Sequence, residues 1–290
     1  MVEYIFGRYL VSSGRITDVQ LDTIVEKMDS VRVKLGLIAV AEGFMSLKQA
    51  EEVNRLQATM DKRFGDIAVE KGYLTEEQVS KLLKYQGNAA LAFVQALIDE
   101  GVCTLEETDG LWEQFRKDNG LSMTELEAIR SDEVERIVPF MLPDECKEYE
   151  QLVSLFVRSM IRLVDRHTSV GRAEVVNTCD CKVLAIQRMQ GNGTLIDSVM
   201  EGTDGLLVTT SVYGKMEFGE LDEDALDSAG ELLNCVNGLF ATAESKDGSF
   251  WELLPQEYSM NGVDLPEAKA CKVPVYVGSR LFYFLITRYA

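Results

Sequence analysis

Glu231 and Asn234 stand three positions apart in the segment Leu221 to Ala241. On a helix that spacing places two side chains on one face, so a carboxylate and a carboxamide would project side by side. A carboxylate pairs with a cation, and a carboxamide accepts and donates hydrogen bonds through one planar group. Glu and Asn at this spacing also occur on solvated helix faces, so spacing alone assigns no role. Other reactive groups are sparse. With His167 the single histidine, no Ser/His/Asp set can be built. Cys179-Asp180-Cys181 has no second pair at zinc spacing, and no metal site is expected. His167 follows a helical stretch rich in cations and is expected to cap its C-terminus. No Walker loop is present, and Gly191-Asn192-Gly193 reads as a turn.

The element carrying the pair reads as one amphipathic helix. Asp222 suits its N-cap, and Glu223 and Asp224 suit the positive end of its dipole. Ala225, Ala229, Leu232, Val236 and Leu239 form the expected buried stripe, with Asp227, Glu231, Asn234 and Gly238 on the other face. Gly230 and Gly238 each cost a helix about 1 kcal/mol relative to Ala. Something is therefore expected to approach the helix backbone closely there. Around this helix the pattern is α/β. Asp144 to Asp165 has helical spacing; Val183 to Met189 and Thr194 to Met200 flank the Gly191-Asn192-Gly193 turn. Leu206 to Thr210 continues the strand-like run, and Val273 to Val277 with Leu281 to Thr287 form a second hairpin across Gly278-Ser279. The expected domain, residues 144–290, is an antiparallel or mixed sheet with helices packed against it.

Asp227-Ser228-Ala229-Gly230-Glu231-Leu232-Leu233-Asn234-Cys235-Val236-Asn237-Gly238 resembles the signature helix of the CheX/CheC/FliY chemotaxis phosphatases, with Glu-x-x-Asn and a Gly four residues later. One such helix is present, as in CheX; the helix beginning at Asp144 contains no Asn and offers no second pair. The resemblance implies a CheX-like fold and a partner, a CheY-like response regulator phosphorylated on aspartate. In that reading Asn234 positions the attacking water, Glu231 pairs with a Lys of the regulator, and Asp227, Gly230 and Gly238 belong to the docking face. The divalent metal comes with the regulator, so no intrinsic cofactor is needed, and family members dimerise through sheet edges. The stretch from Val208 to Glu220 departs from the family, being short for the helix expected there. A non-enzymatic adaptor that only docks the receiver is the alternative.

The first 120 residues repeat. Phe6-Gly7, Leu35-Gly36, Phe64-Gly65 and Phe93-Val94 recur at about 29 residues, a period of small stacked helical units. Gly14, Gly43, Gly72 and Gly101 keep register as helix ends, and Thr17/Gln20, Ser46/Gln49, Thr75/Gln78 and Thr104/Glu107 as capping boxes. The second and third units resemble the MshEN-type N-terminal domain of secretion and pilus ATPases. They carry Lys34-Leu35-Gly36, Ala39-Val40, Gly43 and Gln57, then Arg63-Phe64-Gly65, Ala68-Val69, Gly72 and Gln86. That resemblance implies cyclic di-GMP as a ligand of Lys34, Gly36, Gln57, Arg63, Gly65 and Gln86. Lys34 departs from the family Arg, and Ala50 and Asn54 from family leucines. A helical protein-interaction module is the other reading. Residues 121–143 form a connector; Gly120, just before it, breaks a helical run, and Pro139 and Pro143 flank a short stretch that should end a helix.

The net charge of -19 argues against nucleic acid and anionic lipid as partners. No stretch reaches the apolar length needed to span a bilayer; the longest, Leu152 to Val164, is interrupted by Arg158 and Arg162. Scattered cysteines and the lack of a basic, apolar leader predict a cytoplasmic protein with reduced thiols.

Overall fold

The computed structural model describes residues 1–177, 182–191, 193–245, 248, 250–261 and 269–289. The chain divides into two compact units: Phe6–Asp132 with Val2, and Glu133–Ala290 with Met1 and Glu3–Ile5. The division falls between Asp132 and Glu133. Cys179-Asp180-Cys181 and Asn192 lie outside the described residues.

The first unit is built of short helices: α1 (Val2–Ser12), α2 (Asp18–Met28), α3 (Leu35–Ala41), α4 (Leu47–Gln57), α5 (Phe64–Glu70), α6 (Glu76–Leu83), α7 (Ala89–Asp99), α8 (Thr108–Asp118) and α9 (Met123–Ser131). Gly14, Gly43, Gly72 and Gly101 follow α1, α3, α5 and α7 with φ between +70° and +72°, a conformation that favours glycine. Complete capping boxes start α2, α4 and α6 at Thr17, Ser46 and Thr75. The fourth is half made. Thr104 donates its backbone N–H to Glu107, 2.8 Å, but α8 starts only at Thr108.

The Gly in the first helix of each of the first three repeats is a packing device. A Cβ on Gly7 would lie 2.3 Å from Leu21 Cδ1, and one on Gly65 2.9 Å from Val79 Cγ1. Ala50 stands at the same offset from Gly36 and leaves room for the Phe64 ring, 3.0 Å from a Cβ built there. An aromatic cluster closes the unit: Phe6 stacks on Trp112 at 3.8 Å, with Phe93 and Phe115 edge-on.

In the second unit α10 (Val134–Met141) precedes a 3-10 turn at Asp144–Tyr149, α11 (Glu150–Leu163), α12 (Asp204–Gly214) and α13 (Glu223–Ser245). Pro139 lies within the last turn of α10, which ends at Met141, between Pro139 and Pro143 as expected; the Pro139 carbonyl accepts from Lys147 Nζ. The strands are β1 (Ser169–Val170), β2 (Glu174–Val176), β3 (Leu184–Gly191), β4 (Thr194–Gly202), β5 (Glu252–Leu253), β6 (Glu257–Ser259), β7 (Ala270–Val277) and β8 (Arg280–Tyr289). They form one sheet in the order β1-β7-β8-β4-β3-β5, with β2 against β7 and β6 against β3, and every pair is antiparallel.

Leu206 to Thr210 is helical, in α12, contrary to the strand expected there. An apolar run of that length suits either state. Here Gly205 sits where a Cβ would be 2.5 Å from the Leu281 backbone, so the helix lies directly on β8. Ala185 and Met189, Ile196 and Met200, and Phe282, Phe284 and Ile286 meet α11 and α13 in the main core, where Phe156 stacks on Phe284 at 3.9 Å. The other sheet face holds Leu184, Ile186, Val199 and Leu285. Beside them the fully buried Asp197 accepts from Arg188 Nε at 2.7 Å and Nη2 at 3.1 Å, and from the Tyr289 hydroxyl. The bonds to that carboxylate push the Arg188 guanidinium up, against the opposing effect of burial. Among the described residues no helix is long and apolar enough to cross a membrane.

Candidate functional site

α13 starts as its sequence implies. Asp222 Oδ1 accepts from the Ala225 N–H at 2.9 Å, and Glu223 and Asp224 occupy the first turn. Ala225, Ala229, Leu232 and Val236 are buried, but Leu239 is 48% exposed. The buried stripe instead runs through Leu226, Ala229, Leu233, Val236 and Phe240, spaced three and four residues apart. Asp227, Glu231 and Asn234 are exposed, one above another on a single ridge.

Gly230 is not on that ridge. It is buried, and a Cβ there would meet Gln256 Cγ at 2.9 Å. The close approach expected at the two glycines is met at Gly230, where the chain's own Gln256 makes it; at Gly238 a Cβ would meet only Leu253 Cδ2 at 4.0 Å, an ordinary contact. The segment between β5 and β6 runs beside the ridge. Its Leu254 N–H donates to the Arg188 carbonyl at 2.9 Å, and Gln256 Nε2 donates to Glu231 Oε1 at 2.6 Å. Glu231 therefore faces solvent with one oxygen already engaged.

Asn234 is held from beneath. Its Oδ1 accepts from Gln187 Nε2 at 2.9 Å, and the same nitrogen donates to the Leu254 carbonyl at 3.2 Å. Gln187 Oε1 accepts from Asn237 Nδ2 at 3.0 Å, and Asn237 Oδ1 accepts from the Ser198 hydroxyl at 3.0 Å. Gln187, Asn237 and Ser198 are all buried in the interface between α13 and the sheet. Three polar side chains at such a place are tolerated because each finds a partner. Sequence reasoning missed Gln187, Asn237 and Gln256. The first two carried a signal: Gln187 interrupts the core-facing set Ala185-x-Gln187-x-Met189, and Asn237 falls among Leu233, Val236 and Phe240.

The field of the ridge is negative. Tyr258, on the neighbouring β6, has its hydroxyl pushed up chiefly by the Glu223 charge, with burial, a bond to Glu223, and Asp227 and Asp224 adding to it. The Tyr213 hydroxyl is raised by burial first, then by Cys235 and Glu231. A cationic partner group is suited to such a surface. Among the described residues no group of three or more His, Cys, Asp or Glu is placed to hold a metal ion. α11 ends at Leu163 with Val164 as its C-cap, and His167 lies beyond it, its Nδ1 2.7 Å from Glu3 Oε1 in the second unit.

In the first unit, the polar residues singled out from sequence meet crosswise. Gln86, at the end of the third repeat, donates to the Val33 carbonyl just before Lys34, 3.2 Å. Gln57, at the end of the second, donates to the Lys62 carbonyl just before Arg63, 3.5 Å. Lys34 and Arg63 are the N-cap residues of α3 and α5, and Lys34 Nζ is paired with Asp99 at 3.0 Å. Gly36 and Gly65 are buried by Phe64 and Val79 and present no open backbone.

No family model and no curated protein sequence matches the chain. Solved structures similar to it cover its C-terminal half. One is a CheC-like superfamily protein from Shewanella sp. PV-4, 15% identical over 48% of this chain and 96% of that one, with a TM-score of 0.42. Another is the chemotaxis protein CheX from Desulfovibrio desulfuricans, 14% identical over 49% and 98%, TM-score 0.42. A third is the CheX-CheY-BeF3-Mg complex from Borrelia burgdorferi, 13% identical over 48% and 94%, TM-score 0.40.

Proposed function

We propose that the second unit docks a receiver domain phosphorylated on aspartate and hydrolyses its acyl phosphate. The observation that carries this reading is the exposed Glu231–Asn234 pair, in which the carboxamide is tethered from below and still turned to solvent. The chemistry asks little of the chain. A receiver brings its own phosphoryl group and divalent metal, and what remains is to place water in line with phosphorus. Water attacks phosphorus, the bond from phosphorus to the aspartyl oxygen breaks, and inorganic phosphate and the free carboxylate result. Asn234 accepts from the water through Oδ1 and donates to a phosphoryl oxygen through Nδ2. Glu231 pairs with a lysine of the receiver, and the acidic start of α13 favours such a basic face. The test is phosphate release from a phospho-receiver with the unsubstituted chain and with Asn234→Ala. Equal rates would remove the activity and leave a docking adaptor.

A second reading concerns the first unit. The crosswise approach of Gln86 to the Lys34 loop and of Gln57 to the Arg63 loop is a quasi-twofold arrangement, which favours a ligand with two like halves such as cyclic di-GMP. Isothermal calorimetry of the full chain tests this: no heat at high micromolar ligand would leave a protein-binding module.

A further inference from the structure

The direction of every hydrogen bond beneath Asn234 follows from one backbone group. The Leu254 carbonyl can only accept, so the Gln187 atom 3.2 Å away must be its nitrogen, Nε2. The same nitrogen faces Asn234 at 2.9 Å, so Asn234 must turn its oxygen inward. Gln187 then offers its oxygen to Asn237, which must answer with Nδ2, and the remaining Asn237 oxygen takes the Ser198 hydroxyl proton. Reversing any one amide would set two acceptors or two donors against each other in a buried place, a loss that water cannot repair.

From this polarity we propose that Gln187 is a positioning residue. It holds the Asn234 carboxamide with Oδ1 inward and Nδ2 outward, so that the group offered to a docked phosphoryl is a pair of N–H donors with one oxygen lone pair beside them. The proposal rests on the phosphatase reading above and adds to it the residue that sets the orientation. Gln187 is 1% exposed and Asn237 is fully buried, so neither can touch a partner. Their influence must pass through Asn234. The arrangement also explains why an exposed asparagine, ordinarily free to rotate, would arrive at the reaction already oriented. It keeps Oδ1 close enough to Gln187 that only its second lone pair is open to water.

The experiment uses the full chain. In the unsubstituted protein, NMR of side-chain amides should show slow hydrogen exchange at Gln187 Nε2 and Asn237 Nδ2, and fast exchange at Asn234 Nδ2. Protection of Asn234 Nδ2, or rapid exchange at Gln187 Nε2, would overturn the orientation whatever the activity. Single-turnover hydrolysis of a phosphorylated CheY-like receiver that binds the chain, with the chain saturating, gives a rate per docked complex that is insensitive to a partly unfolded preparation. Gln187→Met should lower this rate about 10- to 100-fold with unchanged half-saturation. Asn234→Ala is the reference. If Asn234→Ala turns over at the full rate, the phosphatase reading falls and takes this proposal with it. If Asn234→Ala is inactive while Gln187→Met keeps the full rate, or loses only affinity, the phosphatase reading stands and the positioning role alone is lost.

Discussion

Replacing Arg188 by Met should destabilise the second unit by about 3 kcal/mol, the low end of the range for breaking a buried ion pair. Asp197 lies opposite Arg188 in the β3–β4 register and has no exposure, whereas the Arg188 side chain is 35% exposed. Removing the guanidinium leaves a carboxylate out of water with only the Tyr289 hydroxyl, at 3.1 and 3.2 Å, to stabilise it. The arginine was itself partly hydrated, and this keeps the loss from the upper end of the range. Removing both charges strands nothing. Arg188→Met with Asp197→Asn should therefore be less damaging than the two single changes summed, by roughly 2 kcal/mol. Urea unfolding followed by Trp251 fluorescence in a Trp112→Phe background reads the second unit alone, since the chain has two tryptophans and Trp112 belongs to the first. An Arg188→Met variant within about 1 kcal/mol of its parent, or additive singles, would show that the carboxylate is not held as argued.

Three further outcomes are expected. Asn234→Asp keeps an oxygen for Gln187 but replaces the outward donor with a negative oxygen; receiver docking should survive while hydrolysis falls about 100-fold or more, and an active Asp variant would refute the donor role. Gly230→Ala gains about 1 kcal/mol of helix propensity, yet its Cβ would sit 2.9 Å from Gln256 Cγ. Net stability should change little while Gln256 leaves Glu231, and an unshifted Gln256 side-chain amide resonance would contradict this. Glu3 has its carboxyl lowered to about 2: burial, the largest influence, works upward, and the His167 bond and the Met1 ammonium outweigh it. A depressed folded value means that this stabilisation is complete above about pH 4.5 and lost as pH falls toward 2, roughly 3 kcal/mol at most. The stability gap between the parent and Glu3→Gln should narrow over that window, and a constant gap would refute the linkage.

What could be read before the structure was local. The capping boxes at Thr17, Ser46 and Thr75 and the Asp222 cap announce helix starts because each is complete within a few residues. The hairpin Val273 to Thr287 is announced by its own turn. Leu206 to Thr210 could not be assigned, since only the closeness of Gly205 to Leu281, far away in sequence, makes it helical. The ridge was legible for the same reason as the caps: helical spacing alone places Asp227, Glu231 and Asn234 together. Its support was not. Gln187, Leu254 and Gln256 belong to other segments; Gln187 stands out as a polar residue in a core-facing set, but nothing beside any of the three says that a helix lies across them. The same holds for Gly230, whose burial depends on where Gln256 arrives.

The amides between helix and sheet have an effect beyond the one asparagine they touch. Hydrocarbon surfaces tolerate sliding, because one leucine replaces another with little loss. Carboxamides whose bonds have a set direction do not. Rolling α13 by a single position would leave the oxygens and nitrogens of Gln187, Asn237 and Ser198 facing alkyl groups, at about 1–3 kcal/mol for each orphaned group. The row thus works as a key in a keyway, fixing the azimuth of the helix, so that residues on its outer edge can change without the edge itself rotating away.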